Sequence, residues 1–419
     1  MRKKVFTGLA ILTLFACISS IPTAIIRAQD DKKPKQEKFG SSLKRYDQTK
    51  PNPKDKNAKK GADTKKITPK AGDGLDDELS LQSTLAVFDV MVTDNKQHFV
   101  PGLTKDDFVV YEDGVEQQVG TCAIGEDVIL PRSIALIIDY SGSQYPFIKA
   151  SVEAAEVLVN NLTPKDEMAI ITDDVDILQD YTNDKGALIK ALEGLKKKAK
   201  DGKEGLSLQM SALLATLQEK VKVSDDKRSI IIFQTDGDEI FKLRDQKDLF
   251  KKYYPYLEQT TEKFGFSDVK NKVENTRATI YAVVPGDQLI NVPDDEALRR
   301  TKVMLDQVAV ADGWDPAKIT RYQKDIQQSL GFWRSGQTAV ATIASLSGGW
   351  TGFLSKPEEA SAIYNKILTD INHRYIIGYY PKDTTADGRL RKLKFEVRGH
   401  PEYKVHGRDS YSISKPDDK

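Results

Sequence analysis

Asp139-Tyr140-Ser141-Gly142-Ser143 gathers one carboxylate and two hydroxyls within five residues. It follows Ser133-Ile-Ala-Leu-Ile-Ile138, an apolar run suited to a buried strand. Asp-x-Ser-x-Ser at a strand end presents three hard oxygen donors. Such donors suit Mg²⁺, Mn²⁺ or Ca²⁺ rather than zinc. Two later segments extend the set. Gly205-Leu206-Ser207 stands before a helical pattern at 208–221, so Ser207 places a hydroxyl at a helix N-terminus, with Ser211 as the alternative hydroxyl. Thr235-Asp236-Gly237 closes a second apolar run at 229–234 with a second carboxylate, and Asp238 and Glu239 follow. Asp238 is a candidate nearby acid for a second ion. The competing assignment makes Asp238 and Glu239 solvated residues. For the first loop, the competing assignment is a turn in which the serines cap and Asp139 accepts from backbone amides.

These residues need a scaffold that brings strand ends together. Residues 131–372 alternate apolar runs with helical patterns, which predicts an α/β fold: a doubly wound, mostly parallel sheet with helices on both faces. Helices are expected near 147–162, 185–197, 208–221, 338–346 and 357–372, and strands at 133–138, 168–172, 229–234, 278–284 and 350–354. In such a sheet the carboxyl ends of adjacent central strands meet at one crevice. Asp139 and Asp236 would share it, with Ser141, Ser143 and Ser207 around them. Two insertions, about 241–275 and 287–334, exceed a minimal alternating fold and carry Tyr253-Tyr254-Pro255-Tyr256, Trp314 and Trp333. Their aromatic residues either build a ligand surface or pack the insertions down. Short strands at 85–93, 108–111 and 116–122 precede this region, and strands at 374–380, 393–397 and 403–405 follow it. Three strands alone are marginal, so residues 79–130 and 373–412 are expected to join in one small β-sandwich.

With these elements in order, the sequence resembles the von Willebrand factor type A (VWA) family. Asp139-x-Ser141-x-Ser143, Ser207 before Ala212-Leu213, and Asp236 after a central strand match the family's metal ion-dependent adhesion site. The flanks resemble secreted bacterial VWFA-related proteins, through Gly102-Leu-Thr-Lys-Asp-Asp-Phe108, Glu112-Asp-Gly114, Tyr375-Ile-Ile-Gly-Tyr-Tyr-Pro381 and Gly407-Arg-Asp-Ser-Tyr411. The resemblance implies a Rossmann-like VWA domain over residues 131–372. It also implies a Mg²⁺ site (or Mn²⁺ or Ca²⁺) held by Asp139, Ser141, Ser143, Ser207 and Asp236, with the second aspartate often acting through water. A protein partner would complete the coordination with a carboxylate. Ser207 departs from the usual threonine: it keeps the hydroxyl but lacks the methyl that restricts its rotamer.

Charge and termini bound the remaining choices. Residues 1–72 hold 18 Lys/Arg against 6 Asp/Glu, so a chain with net charge +1 has an acidic body. That argues against nucleic acid as partner. Arg2, Lys3 and Lys4 followed by the apolar stretch 5–18 predict a signal peptide over residues 1–28 and a secreted or periplasmic protein, with no transmembrane segment after cleavage. Leu14-Phe15-Ala16-Cys17 resembles a lipoprotein cleavage box, in which Phe15 fits poorly. Residues 29–78 are expected to be a disordered basic linker, either a spacer or a tether to an anionic surface, and 413–419 a tail. Cys122 would be the sole cysteine left after cleavage, a buried thiol or an intermolecular partner. An enzyme is not expected. The four histidines, His98, His373, His400 and His406, fall in or beside the flanking strands, and no Walker A loop, Gly-x-Ser-x-Gly or Rossmann glycine fingerprint occurs. The rival functions are a metal-independent assembly module of the envelope and, further off, a metal-dependent hydrolase.

Overall fold

The computed structural model describes residues 44–45, 85–124, 131–221, 227–253, 262–311 and 315–413. The expected signal peptide, Cys17, Tyr254, Tyr256, Trp314, the tail beyond 413 and nearly all of the basic linker lie outside them. Within that linker, Lys44–Arg45 forms a two-residue strand, β1. Three strands follow: β2 (Ala86–Thr93), β3 (Phe108–Glu112) and β4 (Val115–Ile124). The chain then alternates through β5 (Arg132–Ile138), α1 (Tyr145–Asn160), β6 (Glu167–Thr172), β7 (Asp176–Thr182), α2 (Lys185–Lys200), α3 (Gln209–Glu219) and β8 (Arg228–Gln234). Next come α4 (Lys247–Tyr253), α5 (Phe266–Glu274), β9 (Thr279–Pro285), α6 (Asp294–Ala311), α7 (Pro316–Lys324), α8 (Ile326–Leu346), β10 (Thr351–Leu354) and α9 (Ala360–His373). Four strands close the described chain: β11 (Tyr375–Tyr380), β12 (Leu390–Val397), β13 (Lys404–His406) and β14 (Ser410–Ser412).

The fold is mixed α/β. One seven-stranded sheet has the order β1-β7-β6-β5-β8-β9-β10. Its pairings are parallel except that of β6 with β7. Alternation along the strands explains why helices cover both faces. Ile134, Leu136 and Ile138 point into a core with Val152, Leu158, Leu188 and Ile367 from α1, α2 and α9. Ala135 and Ile137 point the other way, into a core with Leu213, Val273, Val340 and Ile343 from α3, α5 and α8. A strand buried on both faces reads as a continuous apolar run, as β5 does. From β5 the chain first steps to β6, then returns to place β8 on β5's other side. The crevice between β5 and β8 is therefore the topological switch point.

β7 was not expected from the pattern. It returns antiparallel beside β6 through Asp173-Asp174-Val175, in which Val175 takes a positive φ of 61°. That conformation is strained for a β-branched residue. The insertions are α4 and α5 in the first case, and α6, α7 and the first part of α8 in the second. The helix expected at 338–346 thus begins a dozen residues earlier, within the second insertion.

The flanking strands form one seven-stranded antiparallel ladder, β13-β2-β11-β4-β3-β12-β14. A two-layer sandwich was expected, but each strand continues the hydrogen bonding of the next. The ladder curls over its own core: the Phe88 ring of β2 lies 5.0 Å from Tyr411 of β14 and 6.1 Å from Phe395 of β12. Cys122 lies inside β4, half-buried, and burial pushes its thiol up to about 11. A thiol raised in this way carries little thiolate at neutral pH.

Buried arginines join the ladder to the start of the parallel strands. Arg228, at the head of β8, donates to Asp89 of β2 at 2.8 Å and to the Ile371 carbonyl at 3.2 Å. Arg374 donates to Asp370 at 2.7 Å, and Asp370 also accepts from the Tyr281 hydroxyl at 2.6 Å. Arg408, from the Gly-Arg-Asp-Ser-Tyr segment, donates to the carbonyls of Glu274 at 3.2 Å and Ala278 at 3.1 Å, capping the C-terminus of α5. Asp370→Ala strands a buried guanidinium and is expected to cost about 3–5 kcal/mol of unfolding free energy in urea titration. Pairing it with Arg374→Met, which replaces the ion pair with an apolar contact, is expected to recover most of that loss.

Candidate functional site

The end of β5 is tied to the end of β8: Asp139 N donates to the Gln234 carbonyl at 3.0 Å. The two strand-end loops therefore leave the sheet side by side. Asp139 is 1% exposed. Its Oδ1 accepts from Ser141 N at 2.9 Å and Ser141 Oγ at 2.6 Å. Ser141 Oγ and Ser143 Oγ lie 3.3 Å apart, and Ser143 Oγ donates to Asp236 Oδ2 at 2.7 Å. Residues 142–144 form a 3-10 turn that runs into α1, with a proline in the helix's first turn. That turn puts both serine hydroxyls on the side of Asp236. Gln144, almost fully buried, adds a bond from Nε2 to Asp236 Oδ2 at 2.9 Å.

Two glycines seat the second carboxylate. Gly237 has φ +76°, a left-handed conformation that glycine tolerates. A Cβ on Gly336 of α8 would meet the Asp236 carbonyl oxygen at 2.5 Å, so the helix backbone presses directly on this loop. Thr235 Oγ1 donates to Asp139 Oδ2 at 3.2 Å and accepts from Gly237 N at 2.9 Å.

The structure thus brings Asp139, Ser141, Ser143 and Asp236 into one chain of oxygens. Ser207 stands differently. It takes φ +52°, donates through its backbone N to Asp173 Oδ2 at 2.8 Å, and its carbonyl accepts from Lys242 Nζ at 3.4 Å. Ser211 Oγ donates to Glu239 Oε1 at 2.6 Å. The side chain that reaches the carboxylates from this loop is Gln209, whose Nε2 donates to Asp139 Oδ2 and to Asp238 Oδ1, each at 2.8 Å.

Asp173 and Asp174 were not singled out from the sequence, and Glu239, which one assignment made solvated, is fully buried. Asp173 accepts from Tyr140 N at 3.1 Å as well as from Ser207 N, joining the two loops. A Cβ on Gly205 would meet its carboxylate at 2.1 Å, so any larger residue there would displace Asp173. Asp174 accepts from Leu206 N at 2.8 Å and bonds the Tyr140 hydroxyl. Glu239 caps the N-terminus of α3, accepting from Ser211 N at 3.0 Å. Thr172-Asp173 ends the strand beside β5, so the strand-end rule that finds Asp139 and Asp236 also points to Asp173.

Burial dominates the electrostatics. It raises Asp139 well above the usual carboxylate range, with Asp173 and Asp238 adding repulsion. Burial raises Asp236 likewise, reinforced by Asp238 and Asp139. Asp173 and Glu239 are pushed up to about 7, again chiefly by burial. Among the described residues, neither Asp139 nor Asp236 has a Lys or Arg partner, and no cluster of three or more His, Cys, Asp or Glu side chains is arranged to hold a metal.

The donor set nevertheless suits a small hard cation. Asp139 Oδ1, Ser141 Oγ, Ser143 Oγ and Asp236 Oδ2 follow one another at 2.6, 3.3 and 2.7 Å. Adjacent oxygens of a Mg²⁺ octahedron are spaced at about 3 Å.

Comparison with family models finds no match, and comparison with curated proteins finds none. Among solved structures, the vWF domain of the type V pili tip protein Mfa5 from Porphyromonas gingivalis is similar at 12% identity, TM-score 0.36, over 58% of this chain and 96% of that one. An aerotolerance-related membrane protein from Bacteroides fragilis is similar at 14% identity, TM-score 0.32, over 58% and 98%. Proximal thread matrix protein 1 from the mussel byssus is similar at 11% identity, TM-score 0.34, over 57% of this chain; the chain spans 48% of that protein's length. All three likenesses are loose.

Carboxylates raised in this way bind protons more readily folded than unfolded. Their contribution to stability is full below the ordinary carboxylate pKa and is lost as pH rises through the folded-state values, near 7 for Asp173 and Glu239. In EDTA, calorimetry is expected to show a melting temperature a few degrees higher at about pH 6 than at about pH 8. Asp173→Asn is expected to shrink that difference.

Proposed function

We propose that this chain is a VWA-like binding protein. In this reading it holds a divalent cation, Mg²⁺ or Mn²⁺, at Asp139, Ser141, Ser143 and Asp236, and through it binds a carboxylate of a protein partner. The observation that carries the reading is the continuous run of four oxygens, two anionic and two neutral, at the switch point of the sheet. A buried carboxylate and a half-buried one that repel each other without a Lys or Arg partner favour a cation between them. When bound, such an ion supplies an electrophilic position that a partner's carboxylate can complete. The chain's own part is to fix the four oxygens. Gly336 and Gly237 seat Asp236, and the turn at 142–144 aims both serines.

We read binding rather than turnover from the same residues. The site offers oxygen donors and carboxamides. The histidines of the chain are spent elsewhere: His98 beside Asp94 at 3.3 Å and His400 beside Glu402 at 2.9 Å, both in the antiparallel ladder or its loops. Export rests on the basic-then-apolar N-terminus, and no helix among the described residues is long and apolar enough to cross a membrane.

Millimolar Mg²⁺ or Mn²⁺ is expected to raise the melting temperature of the wild type, and Asp139→Ala to abolish the rise while the fold survives. A pull-down from envelope extract is expected to capture a partner with Mg²⁺ and lose it in EDTA. Capture at full strength in EDTA favours the metal-independent assembly module, and hydrolysis lost in Asp139→Ala favours the enzyme.

A further inference from the structure

Gln209 is the first residue of α3, and its side chain is fully buried among the strand-end carboxylates. Its amide nitrogen spans the two loops through Asp139 Oδ2 and Asp238 Oδ1. Its Oε1 accepts from Glu239 N at 3.3 Å. That last contact fixes which way the carboxamide faces. Turned over, it would aim an oxygen at two carboxylates and an NH₂ at a backbone N–H, losing all three bonds. The donor end therefore faces inward, where it acts as a neutral stand-in for positive charge.

The four outer oxygens and the amide divide the site. Asp139 Oδ1, Ser141, Ser143 and Asp236 Oδ2 form the outer half. Asp139 Oδ2 and Asp238 Oδ1 form the inner half, and Gln209 fills it. Each bond that a carboxylate accepts from the amide reduces what it can offer an ion. The same segment is tied down through the backbone of Ser207, whose N–H donates to Asp173.

We propose that Gln209 sets the cation affinity of this site from within. Its amide competes for the inner carboxylate oxygens, so the cation is held by the outer four and exchanges readily. The inference rests on the cation reading of the site, and it makes Gln209 an affinity-lowering residue rather than a ligand.

The test is calorimetric titration of the full chain with Mn²⁺ alone, for wild type, Gln209→Met, Gln209→Glu and Asp139→Ala. Methionine keeps the shape and removes the donors. Its variant is expected to bind Mn²⁺ about tenfold tighter than wild type, the worth of the lost charge-assisted bonds, and to melt lower in EDTA. The glutamate variant keeps an acceptor for Glu239 N and is expected to bind tighter still; it carries the test if the methionine variant does not fold. Wild-type or weaker affinity in both, with binding abolished in Asp139→Ala, overturns the role of Gln209 and leaves the cation site standing. Absence of Mn²⁺ binding in wild type and in both Gln209 variants overturns the cation reading itself.

Discussion

Two carboxylates of like charge, Asp139 and Asp236, leave adjacent strands at one end of the sheet and meet where water is largely excluded. Burying such a pair is costly unless something positive, or a set of donors, faces it. Much of the surrounding structure supplies those donors. Two serine hydroxyls, one threonine hydroxyl, two glutamine amides and two backbone N–H groups point at the pair. None of these is a formal cation. Burial and mutual repulsion outweigh these dipoles, which is why the protonated form is favoured.

The scaffold accounts for the precision of that end. Every central strand is buried on both faces, so its direction and register are fixed by side chains pointing alternately into two cores. The strands therefore end in register, and the loops they release start from fixed points. The charged residues that join the antiparallel ladder, Arg228 and Arg374, lie at or near the opposite ends of the parallel strands or the helix that leads into the ladder. Positive charge tied up there stays clear of the carboxylates. Whatever the ladder does, it does not neutralise the site.

Much of this could be read from the amino-acid sequence, and the parts that could not have physical reasons. Asp139, Ser141 and Ser143 are visible because a strand end and a tight turn are local, and the residues sit within five positions. Asp236 is visible because its apolar strand is as clear as the first. Gln209 and Glu239 are not, because a glutamine at a helix start and an acid after Thr-Asp-Gly-Asp are common. Their roles arise only when α3 and the β8 loop meet. β7 escaped because a half-buried strand away from the sheet centre alternates weakly, and its turn carries a valine at positive φ where glycine or asparagine would have marked it. The sandwich became one ladder because strand composition shows which segments pair but not whether pairing breaks between two layers. Ser207 shows the limit of motif spacing: the residue holds its place in the chain, but its recorded bond to a carboxylate is from its backbone N–H to Asp173.

The proposed cation at the four-oxygen run can be sought by crystallography with Mn²⁺, read in the anomalous difference map. One strong peak is expected within coordination distance, roughly 2.1 Å, of Ser141 Oγ, Ser143 Oγ and a carboxylate oxygen of Asp139 or Asp236. A crystal with millimolar Mn²⁺ and no peak there, the serine–aspartate hydrogen bonds remaining as they are, would contradict the proposal.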